Sequence, residues 1–192
     1  MKTIKLENRT VEVSTSLNEI GIDQFEKCVN ILKTTYESSI DQYVDLIQAL
    51  STLTRDEIED LDLSEFESLI KAIKIDDMTG FADKYINEIE VNGVKYRTKS
   101  NGETFKFSVK EMFLLQDKIK QNEEKYISDL CAIIFREVDA DGNISNDLSN
   151  EAINKRKEAL KDIKMNIIAP YLIVLSKYFL DKQNEYGKQA TK

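Results

Sequence analysis

The residues whose types and spacing come closest to a chemistry lie in FREVDADGNISNDL, Phe135 to Leu148, where Glu137, Asp139 and Asp141 alternate ahead of Gly142. Oxygen donors two residues apart, with a glycine to turn the chain sharply, are what a loop needs to wrap a hard divalent cation such as calcium. A second group is larger and less ordered: seven carboxylates fall between Asp56 and Glu67. Convergent carboxylates can hold a metal or divide the work of general acid and base, but only where they meet in a site that excludes water. The chain has no histidine, which removes imidazole bases and histidine zinc ligands. Its six glycines form no phosphate-cradling loop. Cys28 and Cys131 belong to no C-x-x-C pattern, so they read as reduced, small buried apolar residues. No catalytic residue and no cofactor is expected.

Tested position by position, the segment resembles the calcium loop of EF-hand proteins and departs from it in both registers. With Asp139 first, Asp141 and Asn143 take positions three and five, and the loop is two residues short. With Glu137 first, Asp139, Asp141, Gly142, Ile144 and Ser145 fit, and Leu148 stands where the bidentate glutamate belongs. Asp-Gly and Gly-Asn also form ordinary turns, so a plain helix-to-helix loop is expected, with Glu137, Asp139 and Asp141 as the calcium candidates. The acids from Asp56 to Glu67 have an equally simple origin. Thr54-Arg-Asp-Glu57 and Ser64-Glu-Phe-Glu67 match capping boxes, in which a hydroxyl and a carboxylate satisfy free N–H groups at a helix start. Two short helices with one solvated acidic face are expected there.

The elements that must carry these residues follow from periodicity. Thr3 to Val13 alternates as a short hairpin. Apolar spacing predicts helices over about Asp23–Tyr36 and Ser39–Ser51, packed as an antiparallel pair. Asn92-Gly93, flanked by Ile89, Val91, Val94 and Tyr96, predicts a type I′ hairpin, and Asn101-Gly102 offers a second turn that would make a three-stranded meander. Ser108-Val-Lys-Glu111 is a third capping box, launching a long helix with its stripe at Met112, Leu115, Ile119, Tyr126, Leu130 and Ile133, interrupted around Asn122. From about Asn150 a last helix is expected, kinked at Pro170. Its run from Ile167 to Leu175 is apolar all round, so it must be covered either within the chain or by a second subunit, which makes a homo-oligomer an alternative to intrachain burial. The fold class expected is α+β, mainly α-helical, with a short N-terminal hairpin, helical pairs, a central β-hairpin or meander, and two long C-terminal helices.

Charge divides the chain. Residues 1–80 carry 8 Lys+Arg against 17 Asp+Glu, and residues 81–192 carry 19 against 18. This predicts an acidic, mostly helical lobe over 1–80 and a hairpin plus long-helix lobe over 81–192, joined as one compact unit. An acidic surface repels phosphate backbones, so a protein partner is expected and nucleic acid is not. The apolar run is well short of the ~20 residues that span a bilayer, so no membrane partner is expected, and the charged start MKTIKLENRTVEV reads as no secretory signal.

The order of these features carries a resemblance. An N-terminal hairpin, paired helices, the acidic EIEDLDLSEFESL segment, the VNGVKYR hairpin, the KFSVKEMFLLQD helix start and the IIAPYLIVLSKYFL helix together resemble tail assembly chaperone-like proteins of tailed bacteriophages, particularly those infecting Bacteroidetes. The resemblance spans roughly residues 1–180. It implies a small, helix-rich, nonenzymatic protein of the host cytoplasm that engages tape-measure or tail-tube subunits during assembly and shields their aggregation-prone segments. The alternative it leaves open is a structural virion component, portal-adjacent or tail-completing, located in the particle. A calcium-binding module and an acidic inhibitor of a host protein are the further readings. Residues Leu61, Leu63, Phe66 and Leu69, interleaved with the acids, are the candidates for a partner-binding apolar groove.

Overall fold

The computed structural model of the chain describes residues 1–73, 85–99, 106–121 and 126–175. The alternating start folds as expected: β1 (Lys2–Lys5) pairs antiparallel with β2 (Thr10–Val13), with Lys2 opposite Val13 and Lys5 opposite Thr10. Alternation puts Val11 and Val13 inward, both buried, while Thr10 and Glu12 face out. The two helices that follow, α1 (Ile22–Lys33) and α2 (Ser39–Leu50), run antiparallel. Gln24 Nε2 donates to Ala49 O at 2.7 Å near one end, and Gln42 Nε2 donates to Ile31 O at 3.2 Å near the other. With α3 (Arg55–Glu59) and α4 (Leu63–Ala72) they enclose one apolar cluster, centred on Val13, Ile20, Ile47, Leu50, Ile58 and Leu69.

A second cluster forms in the C-terminal part around Leu115, Ile133, Phe135, Ile153, Ile168 and Tyr171. Its sheet begins with β3 (Glu88–Val91) and β4 (Val94–Arg97), joined by Asn92 and Gly93 at φ 52° and 77°. Two successive positive φ values are what a type I′ turn requires, and asparagine and glycine tolerate them best. The third strand is β5 (Arg136–Glu137), which pairs with β4 through Tyr96 opposite Glu137. A third strand after Asn101-Gly102 was the expectation; residues 100–105 lie outside the described residues, and Lys106 to Ser108 are not in a strand. The helix α5 (Val109–Gln121) starts at the predicted capping box, with Ser108 N–H donating to Glu111 and Glu111 N–H donating back to the Ser108 hydroxyl. It is followed by α6 (Tyr126–Ile134), and the predicted interruption at Asn122 lies outside the described residues. Tyr171 presents an edge to both Tyr85 and Phe135, with ring centroids 5.5 Å apart in each case.

The last helix departs from expectation. It is divided into α7 (Asn150–Leu160) and α8 (residues 165–175), and the break falls at 161–164, several residues before Pro170. Tertiary bonding explains the position. Gly21, at the start of α1, supplies no side-chain cap; instead Ile22 N–H donates to Ile163 O at 3.0 Å and Asp23 N–H to Lys161 O at 3.1 Å. In return Met165 N–H donates to Ile20 O at 2.9 Å and Asn166 N–H to Leu17 O at 3.2 Å. Two helix starts therefore satisfy each other's free N–H groups through backbone carbonyls. The glycine lets the two backbones approach closely here: a Cβ at Gly21 would lie 3.2 Å from Asp162 Cα, and one of the two would have to give by a few tenths of an ångström.

One capping box is also corrected. The helix α4 starts at Asp62, whose carboxylate accepts from Glu65 N–H at 2.8 Å, and Ser64 merely donates its hydroxyl to Asp62. Aspartate and serine are N-caps of comparable strength, and the helix starts from Asp62, two residues ahead of Ser64. The fold is α+β and mainly α-helical, with two small antiparallel sheets. Among the described residues no helix is long and apolar enough to cross a membrane.

Candidate protein-binding surface

The acidic segment is built by its caps. Thr54 accepts from Glu57 N–H and Glu57 accepts from Thr54 N–H at 2.8 Å, so both ends of the box are closed. The N–H groups and hydroxyl of these caps hold the Glu57 carboxyl below the ordinary range, with Thr54 the main donor and Arg9 adding to it. Asp62 is held low in the same way, chiefly by Glu65 N–H. Two of the acids also tie the segment to the first hairpin: Arg9 Nη1 donates to Glu57 Oε1 at 2.6 Å, and Glu7 N–H to Glu65 Oε1 at 2.7 Å. Asp56, Glu59, Asp60, Asp62 and Glu67 remain exposed around them. Arg55 links Glu59 to Asp41 and Asp45 of α2 and extends the acidic face across that helix.

The four apolar candidates do not line one groove. Leu69 is fully buried in the first cluster. Leu61 and Phe66 are half-buried and pack against that cluster from outside. Leu63 alone points outward, 73% exposed, in the first turn of α4. The surface that results is a leucine standing in an acidic field, flanked by the partly covered Phe66 and Leu61.

A second exposed apolar site went unnoticed in the sequence. On α5, Met112, Leu115 and Ile119 pack into the second cluster, while Val109 and Phe113 are 72% and 67% exposed. The signal was available, since Val109 and Phe113 are four residues apart and fall off the Met112, Leu115, Ile119 stripe. Lys106, Lys110 and Lys120 are exposed on this helix and its approach, with Asp117 the exposed acid among them. Glu111 offsets none of that charge at the surface, because it is buried against Arg136 at 2.6 Å and Lys99 at 3.0 Å.

The 137–145 loop is occupied by its own bonds. Glu137 faces Arg156, whose Nη1 donates to it at 3.1 Å. Asp139 accepts from Asn143 N–H at 2.8 Å and from Asn143 Nδ2 at 3.2 Å, and these bonds hold its carboxyl low. Asp141 is exposed. The segment is a strand-flanked turn rather than a plain loop: Val138 bridges Ile144, Gly142 N–H donates to Asp139 O, and Gly142 sits at φ 82°. Among the described residues, no group of three or more Asp, Glu, Cys or His side chains is placed to hold a metal ion.

Both cysteines are buried and unpaired with each other. Burial pushes the Cys28 thiol up to about 11 and raises Cys131 still further, so neither is poised as a nucleophile. A cavity of about 760 Å³ between α1, α2 and residues 162–164 is walled by Asp23, Lys27, Asn30, Asp45 and Gln48. That wall lacks the predominantly apolar lining of most small-molecule sites. No protein-family model, curated protein or solved structure matches the chain.

Proposed function

We propose that the chain is a nonenzymatic assembly protein that docks a basic, amphipathic segment of a protein partner on its acidic α3–α4 surface. The observation that carries this reading is Leu63, a large apolar side chain 73% exposed among Asp56, Asp60, Asp62 and Glu67. Exposed apolar anchors ringed by one sign of charge fit helix-binding modes, in which the apolar contact supplies affinity and the charge orients the partner. The specific form of the proposal is a tail assembly chaperone of a tailed bacteriophage, acting in the host cytoplasm on tape-measure or tail-tube subunits. Its support is the order of elements from the first hairpin to the C-terminal apolar helix, and the acidic surface suits a long basic or coiled-coil client.

Phe66 would be a poor residue to test, because it packs against the core and a charge there would unfold α4. Leu63→Lys is the cleaner variant. Co-expression with the tape-measure and tail-tube proteins of the same phage should yield a complex with the wild-type chain and none with Leu63→Lys, at unchanged helical circular dichroism. Mass spectrometry of purified virions separates the two assembly roles. Absence from the particle fits a transient chaperone, and stoichiometric presence instead makes the chain a structural virion component.

A further inference from the structure

We propose that the chain binds a second copy of itself, with the Val109–Phe113 face of α5 in one copy seated on the Leu63 face of α4 in the next. The inference rests on reading the α3–α4 surface as a docking face, and it names one occupant for that face. Both halves of the contact are present in one molecule. Val109 and Phe113 are 72% and 67% exposed and share one side of α5, a turn apart. Exposed Lys106, Lys110 and Lys120 accompany them and outnumber the exposed Asp117 a turn after Phe113, while the acid in the first turn, Glu111, is turned inward to Arg136. Leu63 is 73% exposed among Asp56, Asp60, Asp62 and Glu67.

Scattered exposed apolar residues need no explanation by themselves. Here the Leu63 face is acidic, while the Val109–Phe113 face carries three exposed lysines against one exposed acid, Asp117; the net signs are opposite, which is how interfaces select and orient their partners. A basic helix with apolar anchors at i and i+4 is also the ligand type that an acidic, leucine-bearing surface fits. The two faces are different surfaces, one on each apolar cluster. Their contact is therefore heterologous and leaves one face open on each copy, so association continues to a closed ring or an open chain. Three anchors make a small interface, under about 1,200 Å², so association should be weak and concentration-dependent.

Sedimentation equilibrium of the full chain tests this with wild type, Leu63→Ser, Phe113→Ser and an equimolar mixture of the two variants. Both side chains are exposed, so the variants keep the wild-type circular dichroism. The expected wild-type mass rises with concentration and falls toward the monomer between about 0.1 M and about 1 M salt, as the Debye length shrinks from roughly 10 to 3 Å. Each variant alone should associate at least about tenfold more weakly, the loss typical of a truncated anchor. Their mixture retains one intact pair of faces and should reach twice the monomer mass and no more. A wild type that stays monomeric, a Phe113→Ser mass identical to wild type, or a mixture that remains monomeric overturns the proposal. Failure here is separable from failure of the docking reading, because Phe113→Ser leaves α4 untouched and should still bind a tail partner that Leu63→Lys loses.

Discussion

Glu111 shows how much one side chain can be asked to hold. Its carboxylate closes the capping box of α5, accepts from Lys99, and neutralises Arg136, which is 1% exposed. Burial, the largest influence on Glu111, pushes its carboxyl up, but hydrogen bonds from Ser108 and Lys99 and the charge of Arg136 together hold it down at about 2. Its stabilising contribution is present above the ordinary value of 4.5 and is lost as pH falls from there toward 2. Glu111→Gln should cost roughly 3–5 kcal/mol at neutral pH by stranding a buried arginine, and urea titrations at several pH values should show a flatter acid limb. Glu26 works in the opposite sense. It is 4% exposed and accepts from Ser128 N–H at 2.8 Å, but burial raises its carboxyl above 4.5 more than that bond lowers it. A native state that holds the extra proton loses stability as pH rises from 4.5 through the raised value. Glu26→Gln keeps an acceptor for Ser128 without the charge. It should therefore match or exceed wild-type stability at neutral pH and lack the decline above pH 4.5; a loss beyond about 2 kcal/mol would mean that the ionised form is the stabilising one.

At the scale of elements, the decisive joint is the crossing of α1 and α8, where each helix start is capped by the other's preceding carbonyls. Gly21→Ala should lower stability by about 1–3 kcal/mol, the usual cost of overpacking, because the atoms a Cβ would meet are backbone atoms of Lys161 and Asp162. Differential scanning calorimetry reads this directly, and an unchanged melting temperature would show that the crossing has slack. Thr54→Ala should cost about 1 kcal/mol through loss of the α3 cap. These elements differ in how legible they were. The Asn92-Gly93 hairpin and the boxes at Thr54 and Ser108 could be read in advance because their geometry is fixed by residues within four positions of one another. The break at 161–164 could not, since periodicity runs through it unbroken and only the carbonyl demand of residues 17–23 places it there. Pro170 was the stronger local signal and misled for that reason. The pairing of Arg136–Glu137 with β4 was hidden likewise, in a two-residue strand that contacts a partner about forty residues away in sequence. At α4, Asp62 prevailed over Ser64 because both were plausible caps and only packing against the first hairpin, through Glu7 to Glu65, distinguishes them.

For the molecule as a whole, two apolar clusters share one chain; Phe25 packs against both, and polar bonds join them further: Glu26 to Ser128, Lys164 Nζ to Glu19 O at 2.6 Å, and the backbone crossing at Gly21. Among the described residues, Leu63, Val109 and Phe113 are large apolar side chains at least 67% exposed, the first in acidic surroundings and the other two beside exposed lysines. Composition shows the acidity of residues 1–80, but it cannot tell which of Leu61, Leu63, Phe66 and Leu69 faces outward, because the side each residue presents depends on where α4 begins. The central claim is that the Leu63 surface docks a basic helical partner. It is tested most directly by co-expressing the full chain with the tape-measure and tail-tube proteins that the proposed tail-assembly role makes its clients and resolving the lysate by size-exclusion chromatography. The account predicts a soluble complex with wild type that is lost with Leu63→Lys while the variant's own helical signal and melting temperature stay unchanged. A complex that survives Leu63→Lys intact, or no complex with the wild-type chain, would contradict it.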